Sequence, residues 1–491
     1  MAEEERKYSV PPAFRLPDLH GLRVRAATPQ TLTATYYDTG DLRLARSGAS
    51  LRYRTGDREP WTVKLPTGTT GVRQEISLIG PPGEPPEDLV WLVAAISRGA
   101  PLAPVATLRS VRRAHEVRDG DRVLAEIDDD TVSILDGHRV ARRFREIEVE
   151  RRDGTRRSLD RIERDLVAAG ARTGAFVPKL QRALGELGPP DLVPPGAPGH
   201  HPTAADVVAL SVQGAVERLL RHDPLVRLKQ PLDDGDTPVH QMRVACRRLR
   251  SDLRTFGKLV DPDWSGDLRA ELKWLADVLG AARDAEVLRA RLHTTARADP
   301  LADLAVADPA GIAALDASLR DREERALVAV DAAMRTPRYL ALVDRLTVAT
   351  AQLPLRDKAE QPAAAVLPKL VRRPWRKLAA AAPMLRGTAP DVFWHEVRIL
   401  AKKARYAFEA VSPGLPGAGK PAKRIKKVQA LLGEHQDAVV AETTWLDLAD
   451  HAPVTAGRLA ERERSVVRRV RADYPAAWAA CDSARLSDWL G

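Results

Sequence analysis

Residues 189–202, PPDLVPPGAPGHHP, limit what this chain can fold into more than any other stretch. Proline fixes φ and carries no amide donor, so neither a helix nor a central strand can run through such a segment. It reads as a linker between an N-terminal domain of residues 1–188 and a C-terminal domain of residues 203–491. A chain of 491 residues is too long for one ordinary core, and two domains suit it. Before the linker the sequence breaks into short alternating segments separated by turn residues. After it, long stretches rich in Ala, Leu and Arg keep a helical period. The adjacent His200 and His201, without further ligands around them, read as exposed loop residues and not as a metal site.

Composition narrows the function. Cys246 and Cys481 are the only cysteines, too few for a disulfide framework or a zinc ribbon. No window approaches about eighteen consecutive apolar residues, so no membrane span is expected. The amino terminus is acidic where a signal peptide would be basic and then apolar, which predicts a cytoplasmic protein. A net charge of +10 calls for an anionic partner. Aromatic residues make up 4% of the chain, which weighs against single-stranded nucleic acid, whose binders need stacking platforms.

Along residues 1–188 the alternating polar positions are mostly charged. In a strand, Glu3, Glu5 and Lys7 share one face and Glu4 and Arg6 take the other. Leu51-Arg52-Tyr53-Arg54, Trp61-Thr62-Val63-Lys64 and Arg73-Gln74-Glu75 are basic-leaning strands, and residues 107–116 add Arg109 and Arg113. Glu126 and the Asp128–Asp130 cluster form an acidic strand end. Arg145 to Glu150 puts Glu146, Glu148 and Glu150 on one face, with Ile147 and Val149 toward a core. An ordinary antiparallel sheet with a charged solvent face would show the same alternation. Segregation of basic from acidic strands suits a closed barrel holding a polyanion bridged by divalent cations.

These segments, with Tyr37-Asp38-Thr39, resemble the ordered motifs of the CYTH domain, the triphosphate tunnel metalloenzymes. Val177-Pro178-Lys179-Leu180 stands for the family's terminal basic motif, with Lys179 as its matching residue. The resemblance implies an eight-stranded antiparallel β-tunnel that hydrolyses or cyclises triphosphate compounds with Mg2+ or Mn2+. It implies Glu3, Glu5, Glu146, Glu148 and Glu150 as the acidic, metal-holding wall, and Lys7, Arg52, Arg54, Lys64, Arg73, Arg109, Arg113 and Lys179 as phosphate contacts. Glu3, Glu5, Lys7 and Glu148 would form the catalytic centre, with no single residue marked as general base.

The second half contains a repeat. Val239 to Arg250 recurs as Trp394 to Arg405, and 272–284 recurs as 425–437. His240, Arg243, Arg247, Arg250 and Arg254 are spaced 3, 4, 3 and 4, one stripe of a helix. His395, Arg398, Lys402 and Arg405 repeat it, with Glu409 in fifth place. A solvated face is the bland alternative for one such helix. Met242, Leu249 and Leu253, like Val397, Ala404 and Phe408, form the opposite, apolar face. The pair of segments resembles the CHAD domain, an all-helical module of two similar halves, which implies two basic stripes lining one groove for polyphosphate. Gly414 to Lys420 has P-loop spacing, but Pro421 replaces the metal-binding Ser or Thr and a helix precedes it, so it reads as a loop.

The combined expectation is an α+β, two-domain protein: a tunnel that hydrolyses inorganic triphosphate or short polyphosphate, and a helical domain that binds polyphosphate. A non-catalytic polyphosphate-binding scaffold is the alternative, and nucleotide cyclisation of the class IV adenylate cyclase type comes third. Nucleic acid is the less favoured partner.

Overall fold

The computed structural model describes residues 2–67, 72–173, 177–232, 235–298 and 304–482, without the side chains of Ala2, Glu3 and Ala305. Two compact units divide the chain, Met1–Asp191 and Leu192–Gly491.

The first unit is built on β1 (Ala2–Ser9), β2 (Arg23–Ala26), β3 (Gln30–Asp38), β4 (Ser50–Arg54), β5 (Trp61–Pro66), β6 (Val72–Leu78), β7 (Ala103–Asp119), β8 (Arg122–Asp136) and β9 (Arg139–Arg151). Strand order runs β7-β3-β4-β5-β6-β1-β9-β8, and β8 pairs back onto β7. Eight antiparallel strands therefore close into a barrel, and β2 pairs with the far part of β7. Closure removes the unpaired edges of an open sheet and leaves a wall whose residues alternate between inside and outside.

Short helices flank the barrel, and two of them pack directly on its strands. The short helix α1 (Arg43–Arg46) follows β3, where buried Asp38 accepts hydrogen bonds from the Leu44 and Ala45 amides, each at 2.9 Å. The helices α2 (Glu87–Leu92) and α3 (Ala94–Ser97) follow β6. Helix α4 (Arg156–Ala168) starts at a capping box on Thr155. Its Leu159, Ile162 and Leu166 pack on Tyr8, Val117, Ile127, Ile147 and Val149, the outward residues of β1, β7, β8 and β9. Those positions are apolar because a helix covers them, and their strand neighbours are free to carry charge. Helix α5 (Lys179–Leu184) inserts Leu180 among Ala34, Tyr36, Leu108 and Val132 and plugs one end of the barrel.

The second unit is helical: α6 (Ala204–Arg227), α7 (Pro238–Thr255), α8 (Pro262–Arg297), α9 (Leu304–Ala307), α10 (Pro309–Met334), α11 (Pro337–Ala351), α12 (Ala363–Ala381), α13 (Asp391–Val411), α14 (Gly419–Asp447) and α15 (Pro453–Cys481). Four helices begin Thr-Pro or Asp-Pro. The side chains of Thr237, Asp261, Asp308 and Thr336 each accept an amide hydrogen bond from the first turn, and proline sits where no amide donor is needed. The duplication shows in the packing: α6 on α7 and α7 on α8 in one half, α12 on α13 and α13 on α14 in the other. The halves meet where α7 packs against α13. Met242, Leu249, Leu253, Val397, Ala404 and Phe408 are all buried, as the apolar stripe requires. The P-loop-like run becomes a 3-10 turn, Pro416–Ala418, leading into α14. Among the described residues no helix is long and apolar enough to cross a membrane.

Candidate active site and polyanion groove

Strand parity fixes what faces the tunnel. A cavity of about 690 Å3 is lined by Arg52 and Arg54 from β4, Lys64 from β5 and Arg73 from β6, and by Glu5, Lys7, Glu126, Asp128, Glu148 and Glu150 from β1, β8 and β9. Register sorts the acids into rows. Glu5 stands opposite Glu150, Glu150 opposite Glu126, and Glu126 opposite Glu116. One step along, Lys7 stands opposite Glu148, and Glu148 opposite Asp128. Directly opposed carboxylates repel one another, so this arrangement costs stability unless cations sit among them.

Protein cations already do so in part. Lys7 lies 3.3 Å from Glu5 and hydrogen-bonds Glu148. Arg152 pairs with Glu150 at 2.6 Å and Glu126 at 3.2 Å. Arg112 donates to both oxygens of Asp130, at 2.9 and 2.7 Å, and reaches Glu148 at 3.3 Å. Lys179, the first residue of α5, donates to Asp130 and, at 3.0 Å, to Glu148. Against the effect of burial, Lys179, Lys7 and Arg112 hold the Glu148 carboxyl well below the usual carboxylate range. Burial instead pushes Asp128 up to about 7, with Asp130, Glu126 and Glu148 adding to it against Arg112.

On the basic side, Lys64 pairs with Glu75 at 2.7 Å and Arg54 with Asp57 at 2.5 Å. Burial, with Arg52 and Arg112 nearby, lowers the Arg54 guanidinium below its ordinary value, a sign that cations converge there. Arg52 keeps a buried Nε without a hydrogen-bond partner.

The donor set fits a hard divalent cation such as Mg2+ or Mn2+: it is all oxygen, its like charges stand opposite one another, and Asp128 Oδ1 is buried without a partner. Among the described residues no three acidic, His or Cys side chains already gather around one point, because lysine and arginine ends lie between them.

Several sequence expectations shift. Arg109 and Arg113 point to solvent, and Arg112 between them faces the tunnel, since inward positions on β7 are even-numbered. Glu146 points inward but is sealed beneath Lys179 and Arg182 and does not line the cavity. Lys179 lines the cavity as expected, from the first turn of the plugging helix. The Glu3 side chain lies outside the described residues; its backbone stands opposite Arg73. Tyr36, Glu75, Glu126, Asp128 and Arg152 line the cavity without having been singled out as site residues. Alternation marked Glu75 and Glu126, whereas nothing local marked Tyr36 or Arg152.

In the helical unit the two basic stripes face each other across α7 and α13. Burial lowers Arg243, with Arg247, Arg283 and Arg398 adding to it against Asp284, 3.2 Å away. Burial, then Arg398, Arg247, Arg243 and Arg405, brings Lys402 down to about 7. His240 Nδ1 and the Nε atoms of Arg243, Arg247, Arg398 and Arg405 are buried without hydrogen-bond partners. Five such atoms on two facing helices make this a candidate anion groove, because buried polar atoms are ordinarily satisfied. Arg250 continues the α7 stripe. The two histidines differ: burial and Arg283 lower His240, whereas His395 is exposed and held 2.6 Å from Gln436.

Fold and site together define a charged antiparallel β-tunnel joined in one chain to a duplicated helical module with paired basic stripes. The chain belongs to the CYTH and CHAD families: the CYTH domain model matches residues 1–178 and the CHAD domain model residues 210–446. It is 33% identical to the uncharacterized protein Rv2226 of Mycobacterium tuberculosis, over 98% of this chain and 96% of that one. Among solved structures it is similar to PptA from Streptomyces chartreusis (25% identity, 56% of this chain and 99% of that chain, TM-score 0.47). The CHAD domain from the plant Ricinus communis is another such structure (25% identity, 59% and 96%, TM-score 0.46).

Proposed function

We propose that the tunnel hydrolyses inorganic triphosphate or a short polyphosphate with Mg2+ or Mn2+, and that the helical unit binds polyphosphate. The observation that carries the reading is the division of one cavity into a wall with Arg52, Arg54, Lys64 and Arg73 and a wall with Glu5, Glu126, Glu148 and Glu150. Phosphoryl transfer needs positioning and charge neutralisation more than covalent chemistry, and this cavity offers both. Arg52, Arg54, Lys64 and Arg73 hold the phosphate oxygens, while Lys179, Lys7 and Arg112 keep the Glu148 carboxyl ionised. A divalent cation held by the glutamates would polarise the phosphate and lower the pKa of an attacking water. Glu5, Glu148 and Glu150 are the residues we assign to hold it, with Glu126 and Asp128 beside them; Glu3 is assigned with them on its motif.

A second reading, a tunnel that holds phosphate without turning it over, draws on the lysine and arginine ends already lying between the carboxylates. Phosphate release over tripolyphosphate, longer polyphosphate and nucleoside triphosphates, with Mg2+, Mn2+ or a chelator, separates the two. Metal-dependent release from tripolyphosphate supports hydrolysis; binding without release supports the scaffold; a cyclic nucleotide product contradicts both.

A further inference from the structure

Helix α12 carries a cationic face that neither the tunnel nor the groove uses. Lys369, Arg372, Arg373, Arg376 and Lys377, with Ala380, line a surface cavity of about 360 Å3. The sequence of α12, AAAVLPKLVRRPWRKLAAA, contains no acidic residue. On α8 and α10 of the same unit, by contrast, several exposed cations are matched four residues away. Arg320 pairs with Asp316, Arg325 with Asp321, Arg335 with Asp331, and Lys273 with Asp277. Among the described residues none of Lys369, Arg373, Arg376 and Lys377 makes an ion pair. Like charges one turn apart destabilise a helix, so the clustering has a cost that an anion would offset.

Duplication does not explain the patch. Helix α6 occupies the same place in the first half, and residues Thr203 and Pro362 just before the two helices form a β-bridge. Counted from the first residue of each helix, the five cations correspond to Leu210, Gln213, Gly214, Glu217 and Arg218. The patch therefore belongs to the second half alone.

It also connects to the groove. Helix α13 packs against both α7 and α12, and its exposed Lys403, beside Lys402, feels the charges of Arg254 on α7 and Lys377 on α12. Arg254 in turn is lowered by burial and then by Arg269 and Arg250, the last belonging to the α7 stripe. Cations thus run from the stripe through Arg254 and Lys403 to α12.

We propose that the α12 face is a second anion subsite, continuous with the α7–α13 groove through Arg254 and Lys403, that engages the distal phosphates of a long linear polyphosphate. The proposal rests on the groove reading above. Trp375, the aromatic residue of α12, is buried, so the face offers phosphate contacts and no stacking platform for bases. A polymer that crosses both sites gains from the second without a separate association cost.

Residue-resolved lysine labelling of the full-length chain, read by mass spectrometry, tests it. Among the lysines of the groove and of α12, tripolyphosphate should slow the labelling of Lys402 only, whereas chains of roughly a hundred phosphates should also slow Lys369, Lys377 and Lys403, by about tenfold when the chain is present at ten times its Kd. Replacing Lys369, Arg373, Arg376 and Lys377 by Ser should flatten the salt dependence of long-chain binding by about 3 in log–log slope. Tripolyphosphate should still protect Lys402 in that variant. Unchanged labelling of Lys369 and Lys377 under long chains contradicts the subsite alone; unprotected Lys402 under both ligands contradicts the groove reading and the continuity with it. Duplex DNA of matched charge protecting the α12 lysines at lower concentration than polyphosphate would overturn the choice of ligand.

Discussion

Glu5 and Glu150 stand directly opposite each other across the β1–β9 pair, both lining the tunnel. Their repulsion is relieved by Lys7 on one side and Arg152 on the other. Glu150→Gln removes the repulsion and the Arg152 pair together, so metal-free stability should change by less than about 1 kcal/mol. The gain in melting temperature on adding Mn2+ should disappear. A variant that keeps the full Mn2+ shift places the metal elsewhere.

Arg112 tests the register of β7. It pairs with Asp130, Asp128 and Glu148 inside the barrel, so Arg112→Ala leaves buried carboxylates unpaired and should cost about 3–5 kcal/mol in urea unfolding. Arg109→Ala and Arg113→Ala, both on the solvent face, should each stay within about 0.5 kcal/mol and keep phosphate release intact. Similar costs at all three positions would contradict the pleat described above.

Lys402 gives the groove a pH signature. Its folded value of about 7 lies below the ordinary lysine value of about 10.4, so the unfolded chain binds more protons between the two. Its contribution to stability therefore rises with pH across that window and is least favourable below pH 7. A bound polyanion favours the charged form, so binding above pH 7 should take up a proton, and affinity should fall as pH climbs through 7. Calorimetry in two buffers of different ionisation enthalpy measures the uptake, and Lys402→Met should abolish it. Uptake that persists in the variant assigns the proton to another group.

The two stripe histidines should not be equivalent. His240 is half-buried beside Arg283 with an orphaned Nδ1, whereas His395 is exposed and already bonded to Gln436. His240→Ala should weaken polyphosphate binding by about 1.5–3 kcal/mol, the range for a hydrogen bond to a charged group, and His395→Ala by less than about 1. Equal losses would mean that both rings contact the anion alike.

What the sequence disclosed follows from periodicity. Ile147 and Val149 alternate with Glu146, Glu148 and Glu150, and that pattern separated an apolar face from an acidic one, while the segregation of basic from acidic strands pointed to the acids lying inside a barrel. The spacing from His240 to Arg254 set a stripe, and Met242 with Leu249 set its buried back. Alternation was mute on β7, where Arg109, Arg112 and Arg113 include both parities and the inward one is fixed by pairing with Asp130 on the next strand, β8. The same pairing divides the Asp128–Asp130 cluster: Asp128 and Asp130 face inward, while Asp129 meets Arg145 on the outer face. Tyr36 and Arg152 became site residues only through closure of the barrel, and the role of α5 as a plug depends on Leu180 finding Leu108 and Val132.

The most direct measurement is phosphate release from tripolyphosphate with Mn2+ by the full-length chain, run beside a Glu5→Gln, Glu150→Gln double variant. The parent should release phosphate in a chelator-sensitive reaction, and the variant should be slower by roughly a hundredfold or more while still melting cooperatively. A folded variant that releases phosphate at the parental rate would contradict the metal-dependent tunnel.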